Sequence, residues 1–259
     1  MQCRLTWNVA GEPGLEVEVA QISLRGDRME NQDRVGIITT TDSSLLLVLD
    51  GMGGHADGSL AAMTALQSIS DAFAQQATPL LDPLGFIHLA LGRAHQAVMQ
   101  LGAGRPSEAR PRATVALCLV QQGIAYWAHI GDSRVYHVRN GQVLERTRDH
   151  SHMEVLLSQG RITENEIAGH PMRNFVECCL GGEPKIPEMS LSTARRLQSG
   201  DMLLLCTDGV WAKFKDAEIA DFMREQVSLQ SALNSLAERA VTAATPYSDN
   251  ATAAVLRCD

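Results

Sequence analysis

Five aspartates in this chain stand where an apolar run meets a turn: Asp50 closes SLLLVLD, Asp208 closes DMLLLCTD, Asp132 follows IAYWAHIG, Asp33 opens DRVGI and Asp249 precedes NATAAVLR. One such aspartate is an ordinary turn former or cap. Packed strands bring their ends to common edges, however, and carboxylates gathered at one edge repel unless protons or cations neutralise them. Ligands that are all oxygen, with no histidine or cysteine in comparable places, select hard ions such as Mg²⁺ or Mn²⁺ over Zn²⁺. Two such cations sharing a carboxylate make a nucleophile of water at neutral pH and stabilise both oxygens of an in-line phosphoryl displacement. Phosphate hydrolysis is the chemistry this pattern predicts. Arg28, five residues before Asp33, is the side chain suited to hold a phosphate bidentately, its plain alternative being an exposed, solubilising arginine.

Other residue types argue against competing chemistries. No histidines form H-E-x-x-H, and His88 and His95 lie seven apart on an expected helix, where core or surface roles are commoner than ligation. The six cysteines (Cys3, Cys118, Cys178, Cys179, Cys206, Cys258) include no C-x-x-C, and Cys118, Cys206 and Cys258 sit in or beside apolar runs as buried reduced thiols would. Zinc is not expected. With 22 Lys and Arg against 30 Asp and Glu, the net charge of −8 argues against a nucleic-acid partner. The longest apolar runs, Leu45 to Leu49 and Met202 to Cys206, fall far short of a bilayer span. The opening MQCRLTWNVAGEPG shows no basic segment followed by an apolar one, so a cytoplasmic location is expected.

The elements that must position the aspartates are legible as a pattern. Val17–Ser23, Val35–Thr40 and Leu45–Asp50 read as strands, residues 58–76 and 83–101 as two amphipathic helices separated around Pro79 and Pro83. The stretch ATVALCLVQQGIAYWAHIGDSRVYHVRNGQVLERT, with its Gln-Gly and Asn-Gly turns, reads as an antiparallel β-meander. From Asp149 to about Gln198 periodicity is weak and Pro171, Pro184 and Pro187 intervene, which predicts a mobile surface excursion. Strand Met202–Cys206, helices near Asp216–Glu225 and Leu229–Ala244, and strand Thr252–Arg257 complete the chain. Strands at both ends bracket the helices, so the layers favour an α+β sandwich over alternating βαβ units.

The motif order R-x-x-N-Q-D (Arg28, Asn31, Asp33), D-G-M-G-G-H (Asp50 to His55), G-D-S-R (Gly131 to Arg134), D-H-S (Asp149 to Ser151), T-D-G (Thr207 to Gly209) and S-D-N (Ser248 to Asn250) resembles the metal-dependent protein serine/threonine phosphatases of type 2C, in their compact bacterial single-domain form. The resemblance divides the chain into an extension at 1–15 and one phosphatase domain at 16–259, with a flap at about 150–198. It implies an α-β-β-α sandwich of two antiparallel sheets with helices outside, and two tight Mn²⁺ or Mg²⁺ ions with a third, weaker one. By resemblance Asp50 bridges the two metals, the Gly51 carbonyl binds the second, Asp208 and Asp249 hold the first, and Asp33 acts mainly through water on the metal. Asp132 would share the third metal with Asp208, Arg28 would anchor phosphate, and Asn250 would support Asp249 from behind. The partners implied are phosphoserine and phosphothreonine proteins and an opposing kinase, and a monomer is expected.

The chain departs from the family at three places. Gln32 replaces an acidic residue of many eukaryotic members, Met52 replaces a histidine proposed there as general acid, with His55 the nearest substitute, and Glu177-Cys178-Cys179 replaces a flap threonine-arginine-alanine. Rival readings are weaker. Gly51 to Ala56 matches the G-x-G-x-x-A of a dinucleotide turn, but Asp50 would repel a pyrophosphate and the meander supplies no parallel βαβ units. A phosphatase-like module without turnover is disfavoured because all five aspartates are present, and for Asp132 the plain alternative is a surface turn aspartate paired with Arg134.

Overall fold

The computed structural model describes residues 3–7, 15–53, 56–167, 169–224 and 228–259. Its strands are β1 (Cys3–Trp7), β2 (Leu15–Leu24), β3 (Arg34–Thr39), β4 (Ser43–Leu49), β5 (Gly51–Met52), β6 (Arg112–Ala113), β7 (Val115–Gln121), β8 (Ile124–Ile130), β9 (Arg134–Arg139), β10 (Gln142–Arg146), β11 (Leu180–Gly181), β12 (Ser190–Leu191), β13 (Arg195–Arg196), β14 (Asp201–Cys206) and β15 (Ala251–Cys258). The helices are α1 (Ala56–Ala74), α2 (Pro83–Leu101), α3 (His152–Ser158), α4 (Glu164–Ile167), α5 (Asp208–Trp211), α6 (Asp216–Arg224) and α7 (Leu229–Ala244). Helix starts follow local chemistry: Asp82 Oδ1 accepts the Gly85 amide at 2.9 Å ahead of α2, and Ser228 Oγ accepts the Ser231 amide at 3.2 Å ahead of α7.

Two large antiparallel sheets form, one ordered β1-β2-β15-β14-β9-β10 and the other β12-β8-β7-β4-β3 with β13 also on β8, and a small third sheet is ordered β11-β6-β5. Alternation along the strands assigns each side chain to a layer. Leu45, Leu47 and Leu49 of β4 pack outward on α1 and α2, whereas Leu46 and Val48 pack inward against Leu203 and Leu205 of β14 and Leu256 of β15. Leu204 and Val255 in turn face α6 and α7 through Ile219, Leu233 and Leu236. Each such leucine, fully withdrawn from water, stabilises the fold by about 2 kcal/mol. The order is therefore helices, sheet, sheet, helices, the expected α-β-β-α sandwich.

Three features differ from the sequence reading. The meander is not continuous: β7 and β8 pair in one sheet, β9 and β10 in the other, and the turn through Gly131 and Asp132 crosses between them. Cys3–Trp7, placed in an extension, adds an edge strand along β2. The excursion after Asp149 is partly stitched down, since β11 pairs with β6 and both β12 and β13 pair with β8. Cys118, Cys206 and Cys258 are buried free thiols, as expected, and Trp127 is core. Among the described residues no helix is long and apolar enough to cross a membrane.

Candidate active site

Antiparallel register builds the site. Arg34 pairs with Leu49, so Asp33 and Asp50, one residue beyond each, emerge side by side. Cys206 pairs with Ala253 on one flank, which sets the Asp208 turn against Asp249 and Asn250, and with Arg134 on the other, which brings Asp132 to the same edge. Close approach of these turns demands glycine at two places: a Cβ on Gly209 would run into the Asn250 carbonyl, and one on Gly26, whose φ is +62°, into that of Asp249.

Hydrogen bonds then fix each turn. The Thr114 amide donates to the Asp50 carbonyl at 2.9 Å, the Asp50 amide donates to Thr114 Oγ1 at 3.2 Å, and Thr114 Oγ1 lies 2.7 Å from Ser133 Oγ, linking the Asp50 and Asp132 turns. Thr207 Oγ1 donates to Asp33 Oδ2 at 2.9 Å. Asp27 Oδ2 accepts both the amide and the hydroxyl of Ser248, at 3.0 and 2.7 Å. Asn250 accepts the Gln32 amide at 2.8 Å and donates to the carbonyls of Arg25 and Glu30 at 2.8 and 3.0 Å. These contacts staple residues 25–32 to 248–250, and Arg28 Nη2 reaches Asp249 Oδ2 at 2.6 Å. The Asn250 amide also donates to Asp249 Oδ1 at 2.8 Å, so Asn250 supports its neighbour and its side chain additionally holds the loop that carries Arg28.

Electrostatically the edge is short of positive charge. Burial pushes Asp132 up to about 8, with Asp208 and Asp149 adding repulsion. Burial raises Asp33 to about 7 despite the Thr207 hydrogen bond, and raises Asp208 to about 6 with Asp249 repelling it. Asp50 is held well above its ordinary value by burial and then by Asp33, Asp208, Asp132 and Asp249.

Of the expected site residues, Arg28, Asp33, Asp50, Gly51, Asp132, Asp208, Asp249 and Asn250 stand at this edge, and His55 lies outside the described residues. The pairing of Asp132 with Arg134 does not occur. Arg134 turns to Asp149, donating to both oxygens at 2.7 Å, and Asp132 is contacted instead by the Trp211 indole N–H through its backbone carbonyl at 3.0 Å. Sequence reasoning missed Trp211, the Asp149 ion pair and the threonine supports, because all are contacts between distant segments. In the flap, Glu177 stands 2.9 Å from His152 Nδ1. A groove of about 530 Å³ beside α1 and α2, lined by Leu80, Leu81, Phe86 and Leu89, contains none of these carboxylates.

Among the described residues no three carboxylate, histidine or cysteine side chains already converge at metal-holding distance. The fit is one of donor chemistry: oxygen-only ligands that repel one another suit a hard divalent cation and do not suit a soft one. Residues 23–244 match the family model described as Protein phosphatase 2C. The chain belongs to the protein phosphatase 2C family. Protein phosphatase PhpP of Streptococcus pneumoniae is 30% identical over 217 residues, covering 81% of this chain and 86% of that protein. The solved S. agalactiae serine/threonine phosphatase superposes with a TM-score of 0.85 at 25% identity, covering 94% of this chain and 100% of that one. The catalytic domain of PstP, solved with two manganese ions, gives 0.78 at 27% identity, covering 94% and 99%. As a protein phosphatase 2C the chain is a metal-dependent protein serine/threonine phosphatase, a hydrolase whose substrates are phosphoproteins. The dinucleotide reading fails with the fold, because β5 pairs antiparallel with β6 and, among the described residues, no parallel βαβ unit follows it.

Proposed function

We propose that phosphoserine and phosphothreonine on proteins are hydrolysed at this edge, by water activated on Mn²⁺ or Mg²⁺ held among the five aspartates. The observation that carries the reading is the charge imbalance: Asp33, Asp50, Asp132 and Asp208 are all raised, while the neighbouring guanidiniums of Arg28 and Arg134 are paired to Asp249 and Asp149. In this reading Asp50 would be shared between two tight cations, Asp208 and Asp249 would help hold the first, and the Gly51 carbonyl would serve the second. Asp33 would orient water, and Asp132 with Asp208 would hold a third, weaker cation. When bound, such cations lower the pKa of coordinated water and neutralise the phosphoryl oxygens.

The chain's own share is positional. Arg28, held in place through the Asp27–Ser248 staple, exchanges Asp249 for the substrate phosphate, which its planar fork binds bidentately. Thr207 keeps Asp33 aimed into the cluster, and Thr114 keeps the Asp50 turn in register with the Asp132 turn. The same reading sets the protein, as a monomer, against a serine/threonine kinase acting on the same substrates in the cytoplasm. Cys118, Cys178, Cys179, Cys206 and Cys258 are free, which suits a reducing compartment.

The test is hydrolysis of an aryl phosphate and of phosphoserine and phosphothreonine peptides with added Mn²⁺, then with excess EDTA. Rates should fall to background in the chelator and return when Mn²⁺ is restored. Undiminished turnover in EDTA overturns the proposal.

A further inference from the structure

Asp132 is held by more than its own turn. The Trp211 indole donates to its carbonyl at 3.0 Å, and Trp211 closes the single helical turn that Asp208 opens. That one bond therefore ties the Asp132 turn to the Asp208 turn. The Arg134 guanidinium lies 3.3 Å over the Trp211 ring and is locked there by both oxygens of Asp149, with a further bond from Nη1 to the Tyr136 hydroxyl at 3.1 Å. From the opposite side the His150 amide donates to the Gly131 carbonyl at 2.8 Å, the Gly131 amide donates to His150 Nδ1 at 3.4 Å, and His150 Nε2 meets Ser190 Oγ at 2.8 Å.

This is costly construction for a mere turn. The Arg134 and Asp149 side chains are only 13% and 8% exposed, and a buried ion pair seldom stabilises a fold more than an apolar pair of the same shape. What it supplies is geometry: a charged, bidentate lock keeps Arg134 over the indole, and the indole then has one orientation in which its N–H meets the Asp132 carbonyl.

We propose that Trp211, keyed by the Arg134–Asp149 pair, is a positioning residue that sets the spacing between Asp132 and Asp208 and with it the affinity for the cation they share. The inference rests on the reading of Asp132 as a ligand of the third cation. Trp211 itself touches neither substrate nor cation in this account. It acts through the backbone of Asp132, so the bond matters only while the Asp132 carboxylate is present.

Trp211→Phe keeps an aromatic face under Arg134 and removes the N–H. Wild type, Trp211→Phe, Asp132→Ala and the double variant are compared by Mn²⁺ calorimetry, by the Mn²⁺ dependence of kcat, and by thermal denaturation. Trp211→Phe should bind the two tight ions as wild type does. The Mn²⁺ concentration giving half-maximal kcat should rise about fivefold, as expected for one lost hydrogen bond, with recovery at high Mn²⁺. In the Asp132→Ala background it should have no further effect. If Trp211→Phe does not fold, Arg134→Lys, which keeps the charge and loses the bidentate lock, should show the same shift. Wild-type Mn²⁺ dependence in the folded variants, or a Trp211→Phe loss that adds in full to that of Asp132→Ala, overturns the positioning role. Unchanged kcat and Mn²⁺ stoichiometry in Asp132→Ala alone instead overturns the third-cation reading beneath it.

Discussion

Strand β14 carries an aspartate at its start and leads to another just past its end, and the two are solved in opposite ways. Asp201 is fully buried, yet Arg139 grips both its oxygens, the Nη2 contact at 2.8 Å, and the Gln198 amide donates to it at 2.8 Å. Burial alone would raise it, but these partners and His137 outweigh burial and hold it at about 2. Asp208, seven residues on, is raised to about 6 by burial and by Asp249. One end has its counter-charge built into the chain. The other leaves it to be supplied, which costs folding stability and creates affinity for cations.

Opposite effects of the same neutralising substitution would sharpen that contrast. The largest effect is expected at the deficient end. Asp50→Asn should lower kcat on a phosphopeptide at least about a hundredfold, a barrier increase of about 2.7 kcal/mol, while the metal-free protein melts at the wild-type temperature or above it because one repelling charge is gone. Steady-state kinetics with Mn²⁺ and a melt in EDTA check both halves, and retention of more than about a tenth of the activity would show that Asp50 does not bridge the cations.

At the self-sufficient end, Asp201→Asn should do the reverse. Urea unfolding should reveal a loss of about 2–3 kcal/mol, since Arg139 is left without its partner against the sheet, while kcat at saturating Mn²⁺ stays within about twofold. Equal stability in the two proteins would mean that the ion pair is dispensable and the contrast between the strand ends is one of function alone.

Protons should distinguish the ends more gently. An aspartate whose folded pKa lies above its ordinary value keeps its proton longer in the folded state, so stability falls as pH rises toward the folded value. Asp33 at about 7 and Asp132 at about 8 spread that fall from about pH 4, the ordinary carboxylate value, up to about pH 8, and above about pH 7 His129 and His150, both lowered chiefly by burial, no longer take up protons on unfolding to oppose it. Asp201, being lowered, contributes fully throughout this range and loses its contribution only as pH falls from about 4 toward 2. Melts in EDTA should therefore drop by about 5 °C from pH 7 to 8.5, and the gain on adding Mn²⁺ should grow with pH as protons cease to compete. A flat metal-free profile would mean the carboxylates do not crowd one another in solution.

What the sequence determined by itself was the chemistry and most of its frame. Asp33, Asp50, Asp132, Asp208 and Asp249 are marked locally, each by an apolar run on one side and a turn on the other, and strand and helix periods are likewise local properties. Helix α2 runs over the expected residues because Asp82, Pro83 and its apolar spacing all act within a few positions. Only the tertiary structure decided that the chain changes sheets at Gly131–Asp132, since β8 and β9 are largely buried on both faces and a short turn between such strands serves a hairpin or a crossing equally well. It likewise decided that Arg134 belongs to Asp149 and not to Asp132, that Trp211 reaches across to the Asp132 carbonyl, and that Asp201 is neutralised while Asp208 is not. Each of those depends on which distant segment packs beside the group, because a side chain's charge and hydrogen-bonding capacity are written in its own residue while its partner is chosen by the register of the sheets.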